Sequence, residues 1–305
     1  MANHSGAIHG RLTNRVVIAL PTWFPIGRKG SCLNLNSSRV YFLTIMTYTF
    51  GDTEQASRRL RRLAQIYEPE TRALLASVLE FREVRDLVMA VDLGCGPGWP
   101  TQLLSAVLKP KRTIGLELSQ RYVAEARANH PHLEFRQHDI LHLPFPVESA
   151  DLLFCRFLLT HLQSPSAALD AWAQLAAPRA ILVIHETESL QACDPALSRY
   201  YELVGEMQRH YGQQLNIGAI LDATFEGTPW KVRRSEGIVQ EKSAREMAQL
   251  HLPNLRTWCR NEYASQAFDR REIEELDLAL DRIASGMLDS GVVRNLARQI
   301  VAERL

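Results

Sequence analysis

A chain of 305 residues, 46% of them hydrophobic, is long enough for one large domain with appended elements. Its net charge of +1 argues against a nucleic-acid or anionic-membrane partner, because such partners require a basic surface. The five cysteines form no C-x-x-C pair, which disfavours a zinc site or a disulfide framework and suits a reducing, cytoplasmic setting. No apolar stretch reaches the roughly 18 residues that a membrane-spanning helix needs.

The N-terminal segment lacks helical periodicity, and residues 1–51 contain no Asp or Glu. We interpret residues 1–45 as a poorly ordered extension, since unanchored termini are commonly disordered. An organelle-targeting segment is one alternative, because such segments are poor in acidic residues and contain arginine and serine. A second alternative is that translation starts at Met46.

Two helices are predicted between residues 52 and 81. Asp52 or Thr53 can cap the first, whose apolar residues fall on one face. Its other faces carry an arginine cluster, which indicates an anionic partner or, more simply, a solvated surface. The cluster consists of Arg58, Arg59, Arg61 and Arg62.

The apolar run from Val88 to Leu93 predicts a buried strand, and residues 101–108 predict a helix. Gly94, Gly96 and Gly98 lie between them. Glycines allow backbone N–H groups to approach a ligand closely, and a helix N-terminus favours a carboxylate or phosphate. The order of strand, glycine turn and helix is therefore typical of a nucleotide-type site.

Five successive strand ends carry a resemblance to one family. They are residues 91–98, 115–119, 138–140, 151–155 and 181–185. In order and spacing they resemble the class I S-adenosylmethionine-dependent methyltransferases. The resemblance implies a Rossmann-like α/β fold: a seven-stranded, mostly parallel sheet in the order 3-2-1-4-5-7-6 with a helical insert and a lid formed by the helices of residues 52–81. It also implies S-adenosyl-L-methionine as the cofactor.

A nicotinamide-dependent oxidoreductase is the neighbouring alternative, because it also places a glycine turn between a strand and a helix. Dinucleotide sites use G-x-G-x-x-G, whose third glycine lets the helix pack closely on the strand. The spacing here is G-x-G-x-G, and Trp99 stands where that third glycine would lie. The spacing therefore favours the methyl donor.

The resemblance assigns the cofactor to the first four strand ends. Glu117 follows the glycines by about twenty residues, where an acidic side chain accepts hydrogen bonds from both ribose hydroxyls. Asp139 is implied to accept from the adenine amino group, with Ile140 beside the ring. Arg156 either pairs with a carboxylate or braces its loop. The expected cofactor-binding residues are Asp92, Gly94, Cys95, Gly96, Gly98, Glu117, Leu118, Asp139, Ile140, Cys155 and Arg156.

Methyl transfer needs a general base only when the acceptor must lose a proton, and histidine suits that task at neutral pH. His161 and His185 are the candidates, with Glu186 as a partner or an alternative. No metal-ligand cluster is evident, so we expect no metal. The fourth strand does not end in Asn/Asp-Pro-Pro-aromatic, which disfavours a flipped nucleic-acid base as the acceptor.

The C-terminal third supplies the last two strands and a helical insert. Residues 230–239 and 292–303 predict the strands, and residues 244–288 predict the insert. The insert is expected to roof the acceptor site, with Trp258 and Tyr263 as candidates for stacking against a substrate. Residues 46–305 would then form the methyltransferase domain.

We predict a methyltransferase that acts on oxygen or nitrogen of a small-molecule acceptor, without a nucleic-acid or membrane partner. The enclosing helices and the lack of a basic groove favour a small acceptor. Two alternatives stay open. One is a catalytically inactive cofactor-binding or regulatory module, whose donor-binding residues would look the same. The other is the nicotinamide-dependent oxidoreductase.

Overall fold

The computed structural model describes residues 52–83 and 87–305, so the expectations for residues 1–45 lie outside the described part of the chain. Its seven-stranded sheet has the order β3-β2-β1-β4-β5-β7-β6, with β7 antiparallel to both of its neighbours. The predicted Rossmann-like fold is therefore confirmed. The strands are β1 (Met89–Leu93), β2 (Arg112–Glu117), β3 (Glu134–Gln137), β4 (Ala150–Arg156), β5 (Ala176–Ala192), β6 (Trp230–Ser243) and β7 (Val292–Arg304).

Most of the described helices begin at a polar side chain that accepts a hydrogen bond from an N–H group of the first turn. Ser243, for example, forms a capping box with Glu246. The helices are α1 (Glu54–Ile66), α2 (Glu68–Ser77), α3 (Trp99–Leu108), α4 (Gln120–Asn129), α5 (Pro165–Leu175), α6 (Pro195–His210), α7 (Leu221–Thr224), α8 (Ala244–Trp258), α9 (Glu262–Ala267) and α10 (Arg270–Ser285).

The first four strands and the adjoining part of β5 run parallel and end at one edge of the sheet. Strand β1 is fully buried between β2 and β4, with Leu93 paired to Leu116 on one side and to Cys155 on the other. Arg156 pairs in turn with His185 of β5. Parallel strands present their carboxyl ends at the same edge, so the loops that follow them converge there.

Strands β5 and β6 extend beyond the ends that the sequence predicts. The apolar pattern predicts β5 over residues 180–185, whereas the strand spans Ala176–Ala192, and β6 continues to Ser243. The added residues pair with β7, where Ala192 lies opposite Val293. This pairing satisfies the backbone N–H and C=O groups of a segment whose side chains are too polar to predict a buried strand.

The insert is three helices rather than one continuous helical region, because Asn261 and Asp269 cap the new helices α9 and α10. With α6, these helices enclose a second hydrophobic core that includes Met207 and Trp258. Within residues 52–83 and 87–305, no helix combines the length and the apolar character needed to cross a membrane.

Candidate active site

A cavity of about 310 Å³ lies at the carboxyl edge of the sheet and has two differently built ends. What we call the strand end is lined by Gly94, Cys95, Gly96, Glu117, Leu118, Asp139 and Ile140. What we call the helical end is lined by Arg59, His161, Tyr200, Tyr201, Gln208, His251 and Asn254. Arg156 and Glu186 also line the cavity. A concave site of this size suits a small-molecule ligand.

The glycine turn after β1 is fixed against β2. The N–H groups of Gly94 and Cys95 donate to the carbonyl of Leu116, at 2.8 and 3.0 Å. All three glycines of the turn have positive φ, a conformation that residues with a Cβ avoid. A Cβ on Gly94 would also lie 2.7 Å from the side chain of Leu158. The turn therefore exposes backbone, rather than side chains, to a ligand in the cavity.

Asp92 and Gly98 do not line the cavity, but they shape the turn. Asp92 is 2% exposed and accepts a hydrogen bond from the Thr101 hydroxyl at 2.6 Å, which ties β1 to α3. Burial raises the pKa of Asp92 to about 7. Gly98 begins α3 at a φ of 89°, and a Cβ there would lie 2.9 Å from the rings of His130 and Phe135.

Glu117 connects the end of β2 to the glycine turn. Its two carboxylate oxygens accept hydrogen bonds from the N–H groups of Gly96, at 2.9 Å, and Ser119, at 2.8 Å. Burial raises the pKa of Glu117, and the backbone hydrogen bonds oppose that shift. The carboxylate is thus oriented by the backbone at the place where a ligand reaches the turn.

Asp139 and Ile140 follow β3 and combine a carboxylate with an apolar side chain. One Asp139 oxygen accepts from the N–H of Leu141, and the other lies 3.0 Å from Nδ1 of His142. The carbonyl of Ile140 accepts from the indole N–H of Trp172 at 3.2 Å, which holds this segment against α5. Such a pair can bind a flat heterocycle through both its edge and its face.

Arg156 is held by neighbours and also faces the cavity. Its guanidinium donates to the Thr71 hydroxyl at 3.1 Å and lies 5.5 Å from the ring centroid of Phe157. Burial lowers the pKa of Arg156 to about 10, so it stays cationic at neutral pH. Arg156 is therefore able to brace its loop and to contact a ligand at the same time.

Glu186 is fully buried and holds the 3₁₀ turn Leu159–His161 in place. One carboxylate oxygen accepts from the N–H groups of Leu158 and Leu159, at 2.7 and 2.8 Å, and lies 3.8 Å from the thiol of Cys155. The other oxygen has no hydrogen-bond partner among the described residues. Burial raises the pKa of Glu186 to about 7, while Cys155 itself is buried behind the cavity wall.

His161 lies on that turn and lines the helical end of the cavity. Burial, followed by the nearby charge of Arg59, lowers the pKa of His161 to about 4, and a hydrogen bond with Gln213 opposes the shift. The imidazole is therefore neutral at pH 7 and able to accept a hydrogen bond or a proton.

His185 does not occupy the position expected of a general base. The sequence places it beside Glu186, but the ring is fully buried and does not line the cavity. It lies 3.1 Å from the amide nitrogen of Gln240 and 3.4 Å from the Thr71 hydroxyl. Successive side chains of a strand point to opposite faces, so His185 and Glu186 cannot both face the cavity. These contacts link β5 to β6 and α2.

Replacing His185 with glutamine should make stability less sensitive to acid. Burial lowers the pKa of His185 to about 3, below the value near 6.5 of an unfolded histidine. The contribution of neutral His185 to the free energy of unfolding is therefore present in full above pH 6.5. It is lost as the pH falls toward 3, by at most about 1.4 kcal/mol per pH unit. Urea unfolding between pH 7 and pH 5 should show a shallower decline for His185→Gln than for the unmodified chain.

The exposed His210 provides the matched control, since His210→Gln should leave the decline unchanged. If the free energy of unfolding fell equally between pH 7 and pH 5 in the unmodified chain and in His185→Gln, the assignment of His185 as a buried neutral group would be contradicted.

The two aromatic residues expected to stack on a substrate lie elsewhere. Trp258 is buried in the second core, where it packs against Tyr200 and Phe268. Tyr263 stacks on His210 with centroids 3.9 Å apart. Neither lines the cavity, because the facing side of the insert is the preceding part of α8.

Sequence reasoning missed most of the helical end. Met247, His251 and Asn254 recur on one face of α8, and Tyr201, Val204 and Gln208 do so on α6. This spacing is that of an amphipathic helix, in which a polar residue on the buried face is the informative signal. Gln208 and Asn254 are such residues, since both are buried.

Residues 91–184 match the family model described as a methyltransferase domain. Trans-aconitate 2-methyltransferase from Methylobacterium nodulans is 36% identical over 109 residues, which are 36% of this chain and 42% of that protein. An uncharacterized methyltransferase from Schizosaccharomyces pombe is 29% identical over 136 residues, 41% of this chain and 48% of that protein. The matches thus span less than half the length of these curated relatives.

Among solved structures, a candidate methyltransferase from Bacillus halodurans is similar, with a TM-score of 0.50 and 14% identity, over 75% of this chain and 97% of that chain. At 14% identity, this structural similarity establishes the fold alone. With the strand order and the family match, it confirms the resemblance of the matched segment to class I S-adenosylmethionine-dependent methyltransferase domains. The cofactor of that class is S-adenosylmethionine.

Proposed function

We propose that this chain transfers a methyl group from S-adenosylmethionine to oxygen or nitrogen of a small-molecule acceptor. One observation carries the proposal: the Glu117 carboxylate is oriented at the glycine turn, and Asp139 and Ile140 line the same cavity. A carboxylate for hydroxyls, a second carboxylate for an amino group and an apolar side chain match a ribose and an adenine ring. The family match over residues 91–184 supports the same donor.

The residues at the strand end fit the cofactor by their chemistry. Glu117 would accept hydrogen bonds from the ribose hydroxyls with the oxygens that now accept backbone N–H groups. Asp139 would accept from the adenine amino group, with Ile140 and the half-exposed Leu118 against the ring. The backbone of the glycine turn, including Cys95, would lie alongside the rest of the cofactor.

The other residues predicted to bind the cofactor would support the site from behind the cavity lining, except for Arg156, which lines the cavity. Asp92 and Gly98 fix the turn through α3, and Cys155 lies behind Glu186. Arg156 contributes a positive charge that its bond to Thr71 keeps in place. An arginine at this wall suits the carboxylate of a ligand's amino-acid portion.

S-adenosylmethionine supplies a methyl group already activated on a sulfonium, so this chain's residues mainly orient the acceptor and exclude water. An acceptor that must lose a proton would give it to the neutral imidazole of His161 at the helical end. Glu186 would position His161, because it accepts from two N–H groups at the start of its turn. With a pKa of about 7, Glu186 is also able to accept a proton in its own right.

The test is turnover with S-adenosylmethionine labelled in its methyl group. Purified protein would be incubated with a panel of small acids, phenols, amines and trans-aconitate, the acceptor in the name of the Methylobacterium relative. We expect labelled product from at least one acceptor. We also expect His161→Asn to lower the rate without changing the affinity for S-adenosylhomocysteine, which would separate proton transfer from cofactor binding.

Binding of S-adenosylhomocysteine without transfer to any acceptor would instead support the cofactor-binding or regulatory module. A matched control is His132→Asn, since His132 is exposed and lies outside the cavity lining. Equal losses of rate in His132→Asn and His161→Asn would contradict the role proposed for His161.

A further inference from the structure

The helical end of the cavity combines one cation with neutral polar groups. Among the described residues that line the cavity, the arginines are Arg59 and Arg156, and the carboxylates are Glu117, Asp139 and Glu186. The charge of Arg156 acts on Asp92 and Glu186, near the strand ends. The charge of Arg59 acts on groups of the helical end.

Arg59 lines the cavity together with His161, Tyr200 and His251, and its charge acts on all three. After burial, its charge is the next cause that lowers the pKa of His161 to about 4 and that of His251 to about 3. It also opposes the rise in the pKa of Tyr200. These residues belong to the 3₁₀ turn, α6 and α8, and all three line the same cavity as Arg59.

Two polar groups that line the same cavity as Arg59 are available to a ligand. Gln208 is 1% exposed and lines the cavity, yet its amide oxygen has no hydrogen-bond partner among the described residues. The Nδ1 atom of His251 is likewise unpartnered, while its Nε2 lies 3.0 Å from the Tyr201 hydroxyl. Buried polar groups are almost always hydrogen-bonded, so these two indicate that a polar group of a ligand binds in this part of the cavity. The amide of Gln208 can present either its oxygen or its NH₂ group.

The walls around this polar cluster are apolar. They are formed by Leu63, Val204, Leu215, Met247 and Leu250. A ligand with several charges would place some of them against these side chains, at a large desolvation cost. A ligand with one charge and an apolar body would satisfy both parts of the surface.

We propose that the acceptor is a small monocarboxylic acid, bound with its carboxylate against Arg59 and its apolar body between α6 and α8. Gln208 and His251 complete the hydrogen bonding of the carboxylate, and Arg59 neutralises its charge. The inference rests on the proposed methyltransferase function and specifies the chemistry of its acceptor.

Matched acid and amide pairs test this proposal, because the two members of a pair differ only in the charged group. The probes are octanoate with octanamide and cinnamate with cinnamamide, titrated by calorimetry into protein saturated with S-adenosylhomocysteine. In the unmodified protein, at least one acid should bind about tenfold more tightly than its amide, because a charge-assisted hydrogen bond is lost in the amide. Arg59→Gln should abolish the preference, and Arg59→Lys should retain part of it.

Arg58→Gln is the control on the same helix, since Arg58 is exposed and pairs with Glu54 at 2.8 Å. It should leave the preference for the acid intact. Equal affinity for acid and amide, a preference that survives Arg59→Gln, or no binding by either acid would overturn the proposal.

The affinity for S-adenosylhomocysteine separates this proposal from the one on which it rests. If Arg59→Gln weakens that affinity by as much as it weakens acid binding, Arg59 belongs to the cofactor site and the acceptor assignment is wrong. If the unmodified protein does not bind S-adenosylhomocysteine at all, the proposed function itself fails, and the acceptor assignment with it.

Discussion

Replacing Glu117 with alanine is expected to weaken binding of S-adenosylhomocysteine at least a hundredfold. The Glu117 carboxylate would accept hydrogen bonds from two ribose hydroxyls. Hydrogen bonds to a charged group contribute about 1.5–3 kcal/mol each to the binding free energy. The substitution also releases the N–H of Gly96, which Glu117 now holds at 2.9 Å. Calorimetry with the unmodified and variant proteins measures the ratio of the two dissociation constants.

The control for this experiment is Glu134→Ala, because Glu134 is an exposed carboxylate at the opposite end of the neighbouring strand. It pairs with Arg112 and does not line the cavity. Glu134→Ala should leave the affinity for S-adenosylhomocysteine unchanged. An equal affinity in folded Glu117→Ala and the unmodified protein would remove Glu117 from the cofactor site.

Replacing Gly98 with alanine should destabilise the fold by about 2–4 kcal/mol. The residue has a φ of 89°, which disfavours a side chain, and the new Cβ would lie 2.9 Å from the buried rings of His130 and Phe135. Backbone strain and overpacking therefore add. Urea unfolding measures the loss, and the affinity for S-adenosylhomocysteine should fall with it, because Gly98 sets the start of α3.

A second glycine, Gly227, separates the cost of backbone strain from the cost of overpacking. It also has a positive φ, of 74°, but nothing lies within 4 Å of a Cβ built there. Gly227→Ala should therefore cost only the backbone strain, about 1 kcal/mol. If the two substitutions destabilised the fold equally, the side chains around Gly98 would have to relax freely. That result would contradict the tight packing of the turn.

The parallel core was predictable because its information is local. Strands β1 and β4 and the parallel part of β5 are short apolar runs, and α3 begins six residues after β1. The segment from Val88 to Gly98 contains the first strand and the whole glycine turn. The strand end of the cavity follows the same logic, since Glu117 is the last residue of β2 and Asp139 lies two residues after β3.

The helical end could not be read in this way, because its residues are far apart in the sequence. Arg59, Gln208 and His251 come from α1, α6 and α8, and no motif joins them. Their proximity depends on how α6 and the insert pack in the second core. The same packing directs Trp258 away from the cavity, although its position in the chain suggested the opposite.

The orientation of His185 could not be predicted from the sequence for a different reason. Strand β5 is buried on both faces in this region, so the pattern of apolar and polar residues does not reveal which side chains face the cavity. His185 and Glu186 are both fully buried, and only Glu186 lines the cavity. The contacts with Gln240 and Thr71, which come from other elements, hold the ring of His185 outside the cavity lining.

Direct titration of the unmodified chain with S-adenosylhomocysteine, and in parallel with NAD⁺, decides between the two cofactor classes that a glycine turn can serve. Binding of S-adenosylhomocysteine at one saturable site, without binding of NAD⁺, is the result that the geometry of Glu117, Asp139 and the glycine turn predicts. Binding of NAD⁺ without binding of S-adenosylhomocysteine would contradict the proposed function and favour an oxidoreductase.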